Sequence, residues 1–265
     1  MRSVTTLCEV PCNASTPSII ISDEPSPEIF APIDLNKSAK STISGSRATF
    51  FNIVIPFANV AAINRFSVAP TDIEQYVGFL KKNTDAFKAI GSSDAGVCVT
   101  RSGNDYPGEL MVWNAFPSVE AAMVGSLNYD PYKAGGQISK LRELKHSAIW
   151  KSLKSFRLEP GHEVVARIKV KQKNINAFVL KMAELEKEIQ SNGHPDFFNG
   201  VFVSIAGGFE SQTLMVRSIT SSASDQGKIA DEYFEGNYNT FNEAMALTEG
   251  FVSEQIQVCE QTYKK

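Results

Sequence analysis

The chain contains a long internal repeat. Residues 96–113 (GVCVTRSGNDYPGELMVW) and 200–217 (GVFVSIAGGFESQTLMVR) share GV-V and LMV elements at a constant offset of 104 residues. Upstream, residues 64–77 (NRFSVAPTDIEQYV) align with 166–179 (ARIKVKQKNINAFV) at an offset of 102, so a two-residue insertion separates the two matches. Such a repeat within 265 residues predicts two similar modules that form one body.

Composition divides the chain into three parts. Residues 1–47 are rich in Ser, Thr, Pro and Asn without hydrophobic periodicity, which predicts a flexible leader. The first repeat then occupies residues 48–160 and the second residues 161–265, joined near the Pro-Gly of LEPGH. The apolar run at 48–62 ends in a small-residue motif like a cleavage site, but it is too short and too polar to span a membrane. A cytoplasmic protein is therefore the default expectation.

Charge and cysteine content exclude several classes of partner. The net charge is −3, and no block of Lys and Arg could follow a phosphate backbone, so we expect neither nucleic acid nor membrane as a partner. Four cysteines are too few for a disulfide scaffold. Cys8 and Cys12 lie in the leader, Cys98 and Cys259 lie in predicted strands, and we expect all four to be reduced thiols.

Each repeat is predicted to follow the order β-α-β-β-α-β. Thr71 and Glu74 form a possible capping box before the first helix, and Ser118 can cap the second. In the second repeat Thr240 and Glu243 form another possible capping box. The predicted elements of the first repeat are strands 61–68, 96–101, 109–115 and 149–157, a helix over 72–90, a helix from 119 and more helix after a break at Gly135-Gly136. Those of the second repeat are strands 163–171, 199–205, 212–219 and 251–259, helix 175–191 and helical segments within 222–247.

This order predicts the α+β class, with two ferredoxin-like repeats packed sheet to sheet. A four-stranded sheet with helices on one face must cover its other face, and a second such sheet does so. Over roughly residues 60–260 the arrangement resembles the dimeric α+β barrel superfamily, which includes antibiotic-biosynthesis monooxygenases and stress-responsive barrels, here in a tandem, single-chain form. Because both halves lie in one chain, the protein does not need to dimerise to complete the barrel. The expected oligomeric state is a monomer or a homodimer.

Alternation along the strands separates two faces of each predicted sheet. One face is wholly apolar and should pack under the helices: Val97, Val99, Leu110, Val112, Val201, Val203, Leu214 and Val216. The other face is mixed. Its candidate ligand-binding residues are Arg65, Arg167, Arg217, Thr100 and Ser204.

The three arginines of the mixed face are cations in a sheltered place, which indicates a pocket for a small acidic or aromatic molecule. The alternative is that these arginines pair with acids such as Glu109 or Glu163 at the barrel rim.

There are two catalytic candidates, Asn64 from a resemblance to cofactor-independent monooxygenases and Trp113 from the mixed strand face. The stretch around Asn64 is similar to the first strand and helix of those enzymes, in which an Asn on that strand is functional and faces a cleft between sheet and helices. Trp113 would add a flat aromatic surface near the ligand. For Asn64 the structural alternative is a buried amide that hydrogen-bonds to the backbone.

No cofactor or metal is expected. The haem-degrading relatives use a His on the second helix, whereas the comparable segment 130–141 (DPYKAGGQISKL) contains none and His146 lies nearer the last strand. The sequence has no H-x-x-x-H and no paired C-x-x-C spacing, and the C-x3-C of Cys8 and Cys12 has no nearby His. Phosphate-loop, dinucleotide and hydrolase motifs are absent from the sequence.

The leading hypothesis is therefore a small-molecule-binding barrel with possible monooxygenase-like activity. The rival is a non-catalytic stress-response or assembly protein, in which Trp113, Phe202, Met111 and Met215 fill the space between the sheets.

Overall fold

In the computed structural model, which describes residues 61–265, every strand belongs to one closed antiparallel barrel. The first half comprises β1 (Ala62–Pro70), α1 (Ile73–Lys82), α2 (Asp85–Ala89), β2 (Asp94–Ser102), β3 (Leu110–Phe116), α3 (Val119–Asn128), α4 (Ile138–Leu141) and β4 (Arg142–Ser152). The second half comprises β5 (Gly161–Val170), α5 (Ile175–Ser191), β6 (Phe198–Ala206), β7 (Leu214–Thr220), α6 (Ala223–Phe234), α7 (Asn239–Met245) and β8 (Thr248–Lys264). The leader predicted at 1–47, Cys8, Cys12 and most of the run at 48–62 lie outside the described residues.

Strand order follows the two halves of the chain. Around the barrel it is β1-β3-β2-β8-β5-β7-β6-β4, and β4 pairs with β1 to close the ring. The halves meet at two junctions, β2 with β8 and β4 with β6. The first junction follows β2 along its whole length, whereas the second involves only residues 149–152 of β4. The predicted α+β class is confirmed.

The predicted division of side chains between the two faces of the sheet is also confirmed. The helix-facing valines and leucines join two separate cores, one under the helices of each half. A third core fills the barrel interior and includes Met111, Trp113, Trp150, Phe202 and Met215. Because successive strand residues point to opposite sides, the same short strands supply both the helix-facing cores and the interior.

Helix capping differs in detail from the prediction. Ser118 caps α3 as expected, with its side chain accepting a hydrogen bond from the backbone N–H of Ala121. Asp72 rather than Thr71 caps α1. Thr240 lies inside α7, so it caps nothing.

The largest boundary difference is in β4. It begins at Arg142, where a helix was expected, because residues 142–147 pair with the end of β1. Long-range pairing of this kind overrides local sequence preference.

The expectation of reduced thiols is wrong for two of the cysteines. Cys98 and Cys259 lie directly opposite each other where β2 pairs with β8, and they form a disulfide. They are 161 residues apart in the chain, so their pairing depends on a strand register that sequence spacing does not reveal. The disulfide links the first half of the barrel to the second.

Among residues 61–265, none of the helices combines the length and the apolar character needed to cross a membrane.

Candidate ligand-binding cleft

A cleft lies between the sheet of the first half and the helices that cover it. Its volume is about 290 Å³, and its walls come from β1, β3, α1, α2 and the segment before β4. Most of the lining is apolar, including Phe66, Leu80, Phe87, Ile90 and Val112. A concave apolar site of this size with few polar groups is typical of a small-ligand pocket, at the lower end of the usual range.

Two asparagines are paired on the helix-facing side of the first-half sheet, and one of them lines the cleft. Asn64 of β1 and Asn114 of β3 are directly opposite each other in the strand register, and both have the helix-facing parity of Phe66 and Val112. Asn114 is 0% exposed and lines the cavity. Among the described residues, Oδ1 and Nδ2 of Asn114 and Oδ1 of Asn64 have no hydrogen-bond partner. An unpartnered buried amide is costly, so this pair is a candidate for ligand contact.

A cation lies on another wall of the cleft. Arg142, the first residue of β4, lines the cavity and is only 8% exposed. Its Nη2 donates to the hydroxyl of Tyr129 at 3.4 Å and to the carbonyl of Pro131 at 3.3 Å. Tyr76 of α1 also lines the cleft, and burial raises the pKa of its phenol despite the nearby positive charge of Arg142. Tyr76 is therefore a neutral hydrogen-bonding group at physiological pH.

The two catalytic candidates from sequence lie on opposite faces of the sheet. Arg65, the neighbour of Asn64, is opposite Trp113, and both Arg65 and Trp113 point into the barrel. Asn64 faces the helices instead. Asn114, the strand partner of Asn64, lines the cleft, whereas the indole of Trp113 is packed in the interior core.

Two of the candidate ligand-binding arginines converge on one carboxylate. Glu210, in the loop between β6 and β7, accepts hydrogen bonds from Arg65 Nη1 at 2.9 Å and from Arg167 Nε at 2.7 Å. His146 lies 3.2 Å from the same carboxylate. Burial alone would raise the pKa of Glu210, but His146 and the two arginines outweigh burial and hold it far below its ordinary value.

The third arginine has its own carboxylate. Arg217 is 2.8 Å from Glu163, which is 0% exposed, so the predicted pairing with Glu163 occurs deep inside the barrel rather than at its rim. Glu109 instead accepts from Gln255 at 3.0 Å and from the backbone of Asp105. Three buried arginines and three buried glutamates therefore face the interior of the described barrel, which is balanced in charge.

The two remaining candidates, Thr100 and Ser204, lie apart. Thr100 accepts a hydrogen bond from the side chain of Gln257 at 3.0 Å. Ser204 of β6 is opposite Trp150, and its hydroxyl has no partner among the described residues. The structure thus brings Arg65 and Arg167 together, but it places Thr100 and Ser204 on strands that are not neighbours.

Metal and haem ligation can be tested against the side chains of the described region. There, the metal-ligating side chains close enough to share an ion are Cys98, Cys259 and Glu163, and both sulfurs are engaged in the disulfide. No histidine lines the cleft, so the described residues offer no axial His ligand to a haem in that position.

Sequence reasoning missed Asn114, Arg142 and Glu210. Asn114 lies one residue beyond the repeated stretch 96–113, and its counterpart at the same offset is Ser218, a difference that could have marked it. Arg142 was hidden because the segment was interpreted as helical. Glu210 is in a loop, and nothing local indicates that a loop residue will enter the barrel.

The sequence matches no protein-family model and no curated protein. Solved structures with a similar backbone include a proposed monooxygenase from Fusobacterium nucleatum (12% identity, 78% of this chain and 99% of the other, TM-score 0.48). Another proposed monooxygenase, from Lactobacillus acidophilus, has 10% identity, coverage of 77% and 95%, and a TM-score of 0.49. A haem-binding protein from Thermus thermophilus has 9% identity, coverage of 77% and 92%, and a TM-score of 0.48. None of these likenesses assigns an activity to this chain.

Proposed function

We propose that the chain binds a small organic molecule in the first-half cleft and acts on it as a cofactor-independent, monooxygenase-like enzyme. The observation that carries this proposal is the fully buried amide of Asn114, unpartnered at the wall of an apolar cavity. In a packed core such a group is selected against, because it loses hydrogen bonds to water and gains none. A ligand oxygen or nitrogen would supply the missing partner.

The proposed architecture is a pair of ferredoxin-like repeats, residues 48–160 and 161–265, of which only the first carries a ligand site. Asn114, which lines the cleft, and its strand partner Asn64 are the proposed contacts for an oxygen atom of the ligand, and the aromatic lining would hold its apolar body. An oxygenase without a cofactor uses the substrate itself as reductant. The protein then has to orient that substrate, exclude water and stabilise developing charge on an oxygen, tasks to which amide donors in an apolar cavity are suited.

Native mass spectrometry of the purified chain, compared with its denatured mass, tests the binding proposal. A mass that is lost on denaturation should identify a bound organic molecule, and Asn114→Leu should abolish it. Ser218→Ala, at the matching position of the second half, is the control and should retain the molecule. Retention of the ligand by Asn114→Leu and by Asn64→Ala would contradict the proposed cleft. Loss in Trp113→Phe instead would move the site to the barrel interior.

A second candidate function is a non-catalytic structural or assembly role. Its support is the barrel interior, where aromatic side chains pack together beside buried ion pairs. This role would be favoured if the native mass equalled that of the chain alone and if the protein consumed no oxygen in the presence of any candidate substrate.

A further inference from the structure

Arg142 is a buried cation without a buried anion. Its Nε has no hydrogen-bond partner, and no acid of residues 61–265 lies within ion-pair distance of its guanidinium. Its guanidinium hydrogen-bonds to the hydroxyls of Tyr129 and Tyr76 and to the backbone carbonyl of Pro131, all of them uncharged groups. Asp85 lies at the mouth of the same cleft, but its side chain is 95% exposed and is paired with Lys88 at 3.1 Å.

The other buried arginines of the described barrel each have a carboxylate partner, which Arg142 lacks. Arg65 and Arg167 share Glu210, and Arg217 has Glu163. Within this chain a buried guanidinium is thus matched by a carboxylate wherever it faces the interior, as the cost of burying an isolated charge requires. Arg142 is also buried, but it has no carboxylate partner within residues 61–265. It lines a cavity large enough for a ligand.

We infer that the ligand of the cleft is an organic acid whose carboxylate pairs with Arg142. This inference rests on the proposed function and specifies the ligand class. A guanidinium matches the planar geometry and the charge of a carboxylate, and the free Nε supplies a donor that the protein leaves unused. The apolar lining fits an aromatic body, and about 290 Å³ limits that body to one or two rings. Asn114 then contacts a second polar group of the ligand.

Two probes of the same shape separate charge recognition from simple binding. Calorimetric titration of the full chain at neutral pH should show that 2-naphthoate binds at least about tenfold more tightly than 2-naphthamide, its neutral counterpart. Equal affinity for the two would overturn the inference and leave the proposed function standing. Binding of neither, in a chain that also carries no endogenous molecule, would overturn the proposed function itself.

Variants of the arginine test its role directly. Arg142→Gln should reduce the naphthoate-to-naphthamide affinity ratio to about one while changing naphthamide affinity little, and Arg142→Lys should retain part of the ratio. Arg157→Gln, which removes a half-exposed arginine paired with Glu159, is the matched control and should leave the ratio unchanged. A ratio that persists in a folded Arg142→Gln protein would refute the pairing. If that variant fails to fold, the wild-type comparison of the two probes still decides the question.

Discussion

The two halves of the barrel use the space beneath their helices differently. In the first half the helices leave a cleft of about 290 Å³ with an unpartnered amide at its wall. In the second half the 17-residue helix α5 packs Phe178, Met182, Leu185 and Ile189 into a core that α6 and α7 complete. At the repeat offset of 102, Tyr76 and Leu80 of the cleft correspond to Phe178 and Met182 of that core.

At corresponding strand positions, too, the first half carries amide side chains that the second half lacks. Asn114 corresponds to Ser218, and Asn64 aligns in sequence with Ala166. In the structure, however, Val164 is opposite Ser218, whereas Asn64 is opposite Asn114, so the strand register of the second half is shifted by two residues relative to the sequence alignment. Either way, an apolar residue stands where the first half has Asn64. The second half therefore lacks the pair of amides that the first half carries at these positions.

The largest expected effect concerns the interior that both halves share. Glu210→Gln should lower the free energy of unfolding by about 3–5 kcal/mol, because it leaves Arg65 and Arg167 buried without a carboxylate. Urea unfolding at neutral pH measures the loss. A loss below about 1 kcal/mol would show that the interior is better hydrated than this ion cluster implies.

The stability difference between wild type and Glu210→Gln should also depend on pH. The pKa of Glu210 is lower in the folded than in the unfolded chain, so the unfolded chain binds more protons as the solution is acidified. The stabilisation is complete above the ordinary carboxyl pKa of about 4.3 and is lost as pH falls towards the folded value. The difference in stability between wild type and Glu210→Gln should therefore shrink below about pH 4.3, and a constant difference would contradict the assignment.

Truncation at matched helix positions compares the filled and the open half. Met182→Ala should cost about 2–5 kcal/mol, since it opens a void in a packed core. Leu80→Ala should cost less, because Leu80 already borders a cavity and loses fewer contacts. Denaturant melts of the two variants provide the comparison. An equal cost at both sites would indicate that the first-half cleft is closed in solution.

The disulfide distinguishes the two junctions between the halves. A Cys98→Ala, Cys259→Ala double variant should lose about 2–4 kcal/mol of stability, as expected for removal of a cross-link that closes a long loop. Differential scanning calorimetry measures the loss. Peptide mapping after alkylation of the denatured, unreduced chain is the control and should find both cysteines unmodified. Alkylation of either would show that β2 and β8 are held by their backbone pairing alone.

The smallest effect has the opposite sign. Asn114→Leu should raise the free energy of unfolding by about 1–3 kcal/mol while removing ligand binding, because an apolar side chain of similar size replaces an unpartnered amide. Thermal melts in the absence of ligand test this trade between stability and function. Destabilisation of similar size would mean that the Asn114 amide has a structural partner, such as an internal water.

Sequence patterns predicted much of the fold but only part of the candidate site. The alternation of apolar residues in 96–101 and 109–115 assigned the helix-facing side correctly, since period two is a local property. Helix α5 occupies the predicted residues 175–191. Asn64 stays a prediction. Arg142 was not anticipated, because it becomes a cleft residue only when β4 pairs with β1.

The sequence by itself determined the α+β class and the apolar face of each sheet, because these follow from patterns among residues close together in the chain. Only the tertiary structure decided that Cys98 pairs with Cys259, that Glu210 forms ion pairs with two arginines and that Arg142 and Asn114 line one cavity. Each of those contacts joins residues far apart in sequence. Their distance is set by strand register and barrel closure, which involve the whole chain at once.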